Sequence, residues 1–160
     1  MTLIKLNREV KQMKKTLMSL TLIPAVGLLL ITNPSQAKSE LDPSSAKKQI
    51  VRYLTNLQTG NAADMKDLFT SKGYVISTTK GEKPAVPFFN AFLPELKEGK
   101  ITLRRIYPAE KDSVWYSASF HYSHTMKDGE VGGCDYMDEF RFDPASGKLE
   151  QVIMYENLKF

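Results

Sequence analysis

Two stretches in the second half of the chain alternate in polarity with a period of two for about a dozen residues each, and only extended strands satisfy that pattern. In "DSVWYSASFHYSHTM" the even positions Val114, Tyr116, Ala118, Phe120 and Tyr122 are apolar or aromatic, with His124 continuing the same side. The odd positions are Trp115, Ser117, Ser119, His121 and Ser123. In "EVGGCDYMDEFRFD" the even set is Gly132, Cys134, Tyr136, Asp138, Phe140 and Phe142, and the odd set includes Asp135, Met137, Glu139 and Arg141. Side chains on a strand point alternately to its two faces, so the even positions of both strands form the core face. Lys127-Asp128-Gly129 joins them with hairpin chemistry. The same parity puts a carboxyl, Asp138, inside, between Tyr136 and Phe140.

The rest of the chain supplies what covers that face. "DPSSAKKQIVRYLTNLQTGN" reads as a helix opened by Ser44 or Ser45, carrying Ile50, Tyr53, Leu54 and Leu57 on one side and ended by Gly60. A short helix from Asn61 presents Met65, Leu68 and Phe69, and "GYVISTT" follows as a short strand. A third helix starts near Pro87 and buries Phe88, Phe89, Phe92 and Leu96, with Pro94 kinking or splitting it. "KITLRRIYPAE" precedes the two alternating strands, and "GKLEQVIMYENLKF" forms a last strand after the turn "DPASG". Helices first and an antiparallel meander afterwards define an α+β fold with helices on one side of a curved sheet.

Residues 13–40, "MKKTLMSLTLIPAVGLLLITNPSQAKSE", have two lysines, an apolar run of about 15 residues and a polar exit, the pattern of a secretory signal peptide cleaved after Ala37. A membrane anchor is the alternative, but about 20 apolar residues are needed to span a bilayer. Met13 begins a complete signal by itself, so residues 1–12 reflect a choice of start. The expectation is a leader over 1–37 and one domain over 38–160, exported to the periplasm or secreted, with no stable membrane anchor after cleavage. The leader holds five of the 22 basic residues and one of the 18 acidic ones, leaving 17 of each. The high pI of about 9.1 therefore belongs largely to the leader, and charge gives no support for a nucleic-acid partner. Cys134 is the sole cysteine, so no intrachain disulfide can form and stability must come from packing.

An ionised carboxylate on an apolar face is costly, so Asp138 must be neutral or paired, with Tyr53, Tyr116, Tyr122 or His124 as partner. Other candidates are weaker. His121 and His124 are three apart on a strand and face opposite ways, which argues against a shared metal, and nothing calls for a cofactor. Cys134 reads as a packed thiol, and Gly132-Gly133 as a strand bend. Arg104-Arg105 and Lys47-Lys48 read as solvated charges. Trp115 among serines on the outer face marks a surface for a homodimer or a protein partner.

The order of elements over residues 44–158, with "IVRYLTNLQTGNAADMKDLF" leading into one short strand, a helix and a long meander, resembles the nuclear transport factor 2-like superfamily. That group includes ketosteroid isomerases, scytalone dehydratase, SnoaL-type cyclases and binding proteins. The resemblance implies a cone closed around one deep pocket. It also matches Tyr53 and Asp138 to the tyrosine and protonated aspartate that form an oxyanion hole in ketosteroid isomerases. The carboxylate base of those enzymes falls at Ser77 here, and a serine hydroxyl is no base near neutral pH without an activating partner. The expected function is binding of a small, mainly apolar molecule. Phe88, Phe89, Phe92, Tyr116, Phe120, Tyr122, His124, Cys134, Tyr136 and Phe140 would form the wall, with Tyr53 and Asp138 orienting a polar group. The alternatives are a dehydratase, cyclase or isomerase using Asp138 and Tyr53, and an envelope or immunity module using the outer sheet face.

Overall fold

Pro43 fixes the first turn of α1 (Pro43–Thr59), and the Asp42 carboxylate accepts from the backbone N–H of Ser44 at 3.3 Å and of Ser45 at 2.9 Å. The cap is therefore Asp42 and not Ser44 or Ser45, because a carboxylate one residue before proline reaches two free N–H groups at once. The computed structural model describes residues 41–111 and 113–157; the leader expected over 1–37 lies outside them. Gly60 ends α1 in the left-handed region at φ 69°. Asn61 caps α2 (Ala62–Leu68), and Phe69, expected on that helix, instead begins β1 (Phe69–Ser77) while remaining buried.

The strand β2 (Gly81–Pro84) is an addition to the sequence reading. Its residues Gly-Glu-Lys-Pro are all exposed and carry no apolar alternation, which suits an edge strand whose Lys and Pro discourage further pairing. The next helix, α3 (Ala85–Phe92), starts two residues earlier than expected, and Pro94 ends it through a single 3-10 turn, Leu93–Glu95. Then come β3 (Leu96–Pro108), β4 (Trp115–Met126), β5 (Val131–Phe142) and β6 (Leu149–Asn157).

These strands form one sheet in the order β2-β1-β6-β5-β4-β3, antiparallel throughout except where β6 inserts beside β1 in parallel. The helices cover one face. Ala46, Ile50, Tyr53, Leu54 and Leu57 of α1, Met65 and Leu68 of α2, and Phe89 of α3 share a core with Phe120, Phe140, Phe142, Leu149 and Val152 of the sheet. The long strands cross α1 closely. A Cβ on Gly99 would lie 2.7 Å from the Gln58 carbonyl oxygen, and the Gln58 side chain accepts from the Ile101 N–H at 3.0 Å. Backbone on both sides leaves nothing to give way, so Gly99→Ala should lower stability by about 1–3 kcal/mol. Urea denaturation would read this as a lower midpoint at unchanged slope; an unchanged midpoint would mean that β3 moves off α1 freely.

Among the described residues, no helix is long and apolar enough to cross a membrane.

Candidate functional site

The core face does not close completely. Between α3, the end of α1 and the concave sheet lies a cavity of about 820 Å³ lined by Tyr53, Leu57, Ser77, Phe88, Phe89, Phe92, Phe120, Tyr122, His124, Cys134, Tyr136 and Asp138. Lys80, Lys83, Glu95, Glu130 and Glu156 also reach it.

Strand register orders this wall into rows. Asp138 pairs with Ala118 on β4 and Met154 on β6, and Met154 pairs in turn with Ser77 on β1. The next row is Phe120, Tyr136 and Glu156; beyond it come Tyr122 with Cys134, and then His124 with Gly132. Alternate residues on a strand are about 7 Å apart, so the wall runs roughly 20 Å from Asp138 to His124. Gly132 makes room for the last row, since a Cβ there would lie 2.5 Å from the His124 ring. The imidazole stacks at 5.0 Å on Tyr122 and meets the edge of Phe92 at 5.8 Å.

Asp138 is 1% exposed and Tyr53 fully buried, and among the described residues neither Asp138 Oδ1 nor the Tyr53 hydroxyl has a hydrogen-bond partner. The two lie close enough that each acts on the other, the Tyr53 hydroxyl favouring the ionised carboxylate, although the pair does not reach full hydrogen-bond geometry. Burial pushes the Asp138 carboxyl well above the usual carboxylate range; the negative charge of Glu156 adds to this and Tyr53 opposes it. Burial likewise raises the Tyr53 phenol, with Asp138 contributing. Tyr122 rises to about 12 by burial, and its hydroxyl donates to the Leu57 carbonyl at 3.2 Å. Burial lowers His124, with Glu130 opposing, and raises Cys134. Burial thus favours the protonated acid and the intact phenols in this wall, which are donors for an oxygen acceptor.

Ser77 faces the cavity as its register requires, but its hydroxyl is engaged. Its Oγ lies 3.2 Å from Thr79 Oγ1 and accepts from the N–H of Thr79 and of Lys80. It holds the turn out of β1, and no group that could activate it as a base bonds to it.

Three expectations need correction. Tyr116 and Phe140 are buried but lie off the cavity. Tyr116 packs on Phe142 at 5.8 Å, and Phe140 backs the Tyr53 ring at 5.2 Å, because α1 sits directly over that end of the sheet. Of the partners expected for Asp138, only Tyr53 lies near enough to act on it: Tyr122 is committed to Leu57, Tyr116 lies outside, and His124 is three rows away. Trp115 is half-buried beneath the Arg141 guanidinium, 5.8 Å from its ring centre, and not openly exposed. The more exposed apolar groups of the outer face are Val131, Tyr107, Met137 and Tyr155. There His121 and Arg104 both bind Asp135, so the two histidines do face opposite ways.

Glu156 is one of the wall residues that the sequence reading missed, with Met154, Leu57 and the ionisable groups named above. Its signal was present: on β6, Val152 pairs with Phe140 and Met154 with Asp138, so the same parity carries Glu156 inward beside Tyr136.

No family model and no curated protein sequence matches the chain. Solved structures do. A nuclear transport factor 2-like protein from Anabaena variabilis superposes with a TM-score of 0.61 at 14% identity, covering 78% of this chain and 93% of that one. A hypothetical protein with a ketosteroid isomerase-like fold from Catenulispora acidiphila, in complex with trimethylamine, superposes at 0.58 and 11% identity over 69% and 86%. The pinacolase BvnE from Penicillium brevicompactum gives 0.59 at 13% identity over 72% and 84%. The chain has the nuclear transport factor 2-like cone fold.

Proposed function

We propose that the protein is an exported binding protein for a small, mainly apolar molecule that carries an oxygen acceptor, and that it holds this ligand without turning it over. One observation supports the reading above the others: two fully buried donors, Tyr53 and protonated Asp138, stand in a cavity rich in aromatic rings, with neither the Tyr53 hydroxyl nor Asp138 Oδ1 hydrogen-bonded among the described residues. Leaving such groups unmet costs about 1–3 kcal/mol each, and a ligand carbonyl or ether would offset that cost. The occupied hydroxyl of Ser77 argues against proton transfer by the route the fold's isomerases use. Export rests on the leader pattern of residues 13–37.

The test is a thermal-shift screen of cyclic and aromatic ketones against wild type and Asp138→Ala, which removes the donor where asparagine would keep one. Wild type should rise in Tm with at least one class of ketone, and Asp138→Ala should bind that ketone about tenfold more weakly. Equal responses of both proteins to every compound would sink the reading.

An enzyme of the dehydratase, cyclase or isomerase kind is the second reading, favoured by Asp138 as a neutral acid beside the carboxylate of Glu156. Turnover of a dehydratable or enolisable substrate, lost in Asp138→Asn, would establish it. A protein partner or second copy on the outer face would use Tyr107, Met137 and Tyr155 more than Trp115.

A further inference from the structure

We propose that the ligand is a cation, an amine or quaternary ammonium whose positive charge sits beside Glu156 while its oxygen acceptor meets Asp138 and Tyr53 one row deeper. This rests on the binding reading above and narrows it to a chemical class.

Glu156 is half-buried, lines the cavity, and makes no ion pair among the described residues; the pairs that form join Arg52 to Asp64, Arg104 and His121 to Asp135, and Arg141 to Glu150. Its strand partner is Tyr136, whose ring stacks on Phe120 with centroids 5.5 Å apart and planes within 11°. A carboxylate beside aromatic rings is the combination that recognises an ammonium: the rings contribute the negative face of their quadrupole and the acid a charge-assisted hydrogen bond. A neutral ligand would leave that carboxylate half-desolvated without compensation.

The second observation is independent of the charge. Asp138 and Tyr53, buried and unpartnered, open into the same cavity one row away, so a ligand reaching them passes Glu156 at a separation of about 7 Å. Other ionisable groups face the same space: Lys80 and Lys83 from the β1–β2 side, Glu95 and Glu130 near the mouth, and His124, which burial favours as neutral. The two lysines are the groups that would favour an anion instead, and the choice of probes separates the cases.

Three para-substituted acetophenones share one acceptor and one apolar body: 4-acetylbenzylammonium, neutral 4-ethylacetophenone, and 4-acetylbenzoate. Calorimetric titration of the folded exported chain at pH 7 should find the ammonium bound about tenfold more tightly than the neutral ketone, with the benzoate weakest. In Glu156→Gln the ammonium should fall to within about twofold of the neutral ketone, whose own affinity stays unchanged. Glu98→Gln, at an exposed carboxylate outside the cavity lining, should leave the preference in place. Equal binding of ammonium and neutral ketone by wild type, tighter binding of the benzoate, or a preference that survives Glu156→Gln would overturn the cation assignment while leaving the cavity a binding site. Absence of binding by all three would overturn the binding reading and this one together.

Discussion

Asp138→Asn is expected to raise the stability of the protein at neutral pH, although it alters one of the most buried polar side chains in the fold. In the folded chain burial holds the carboxyl protonated well above the ordinary carboxylate range, reinforced by the charge of Glu156. In the unfolded chain it titrates near its model value of 3.8. Below that value both states are protonated and the group is indifferent. Above it the unfolded chain has released the proton and the folded one has not, so stability falls as pH rises and keeps falling until the folded-state pKa is passed. Each pH unit in that window removes about 1.4 kcal/mol, and about 1 kcal/mol moves the Tm of a domain this size by roughly 4 °C. Asparagine keeps the shape and does not ionise. The Tm curves of wild type and Asp138→Asn should therefore converge below about pH 4 and separate steadily above it, with the variant several degrees higher by pH 7. Parallel curves across that range would mean that Asp138 titrates normally in the folded state. The expected separation would fit a binding site better than a scaffold, because functional groups are commonly held at the expense of stability.

Much of this arrangement was legible in the residues. Strict alternation through 114–142 set the inward face of β4 and β5, and with it Asp138, because strand parity is a rigid geometric rule and both strands carry a long unbroken pattern. Tyr53 followed from its register with Ile50 and Leu57 on α1. What escaped detection had no such pattern. The exposed Gly-Glu-Lys-Pro of β2 pairs through its backbone alone, and hydrophobic periodicity does not register an edge strand. Tyr116 and Phe140 share the parity of the wall residues but sit under α1, and parity reports a face without reporting how far along it a helix reaches. The occupied hydroxyl of Ser77 depends on a turn whose hydrogen bonds lie three residues ahead. Glu156 stood on the inward face by the same rule as Asp138, yet near the chain end it reads as an ordinary solvated acid until β6 is seen inserted between β1 and β5.

Neighbouring phenylalanines on α3 both line the cavity but differ in how much of the core they hold. Phe89 is 1% exposed and holds three other rings: Phe88 at 5.1 Å edge-on, Phe69 at 5.7 Å and Tyr53 at 5.8 Å edge-on. It thereby ties α3 to β1 and α1, and Phe89→Ala should cost about 3–5 kcal/mol, from lost transfer energy and from the void left under the helix. Against a usual total of roughly 5–15 kcal/mol, that is enough to leave the variant partly unfolded near physiological temperature. Phe88 is half-buried and its ring belongs to the cavity wall. Phe88→Ala removes less buried area and leaves a space already continuous with the cavity, so about 1–2 kcal/mol is expected. Its larger consequence should be weaker ligand binding. Chemical denaturation of both variants, with titration of whichever ketone wild type binds, distinguishes the roles: Phe89→Ala should shift the denaturation midpoint most, and Phe88→Ala the affinity. Equal stability losses would mean that α3 is held as a unit and that its cavity-facing and core-facing sides are not energetically distinct.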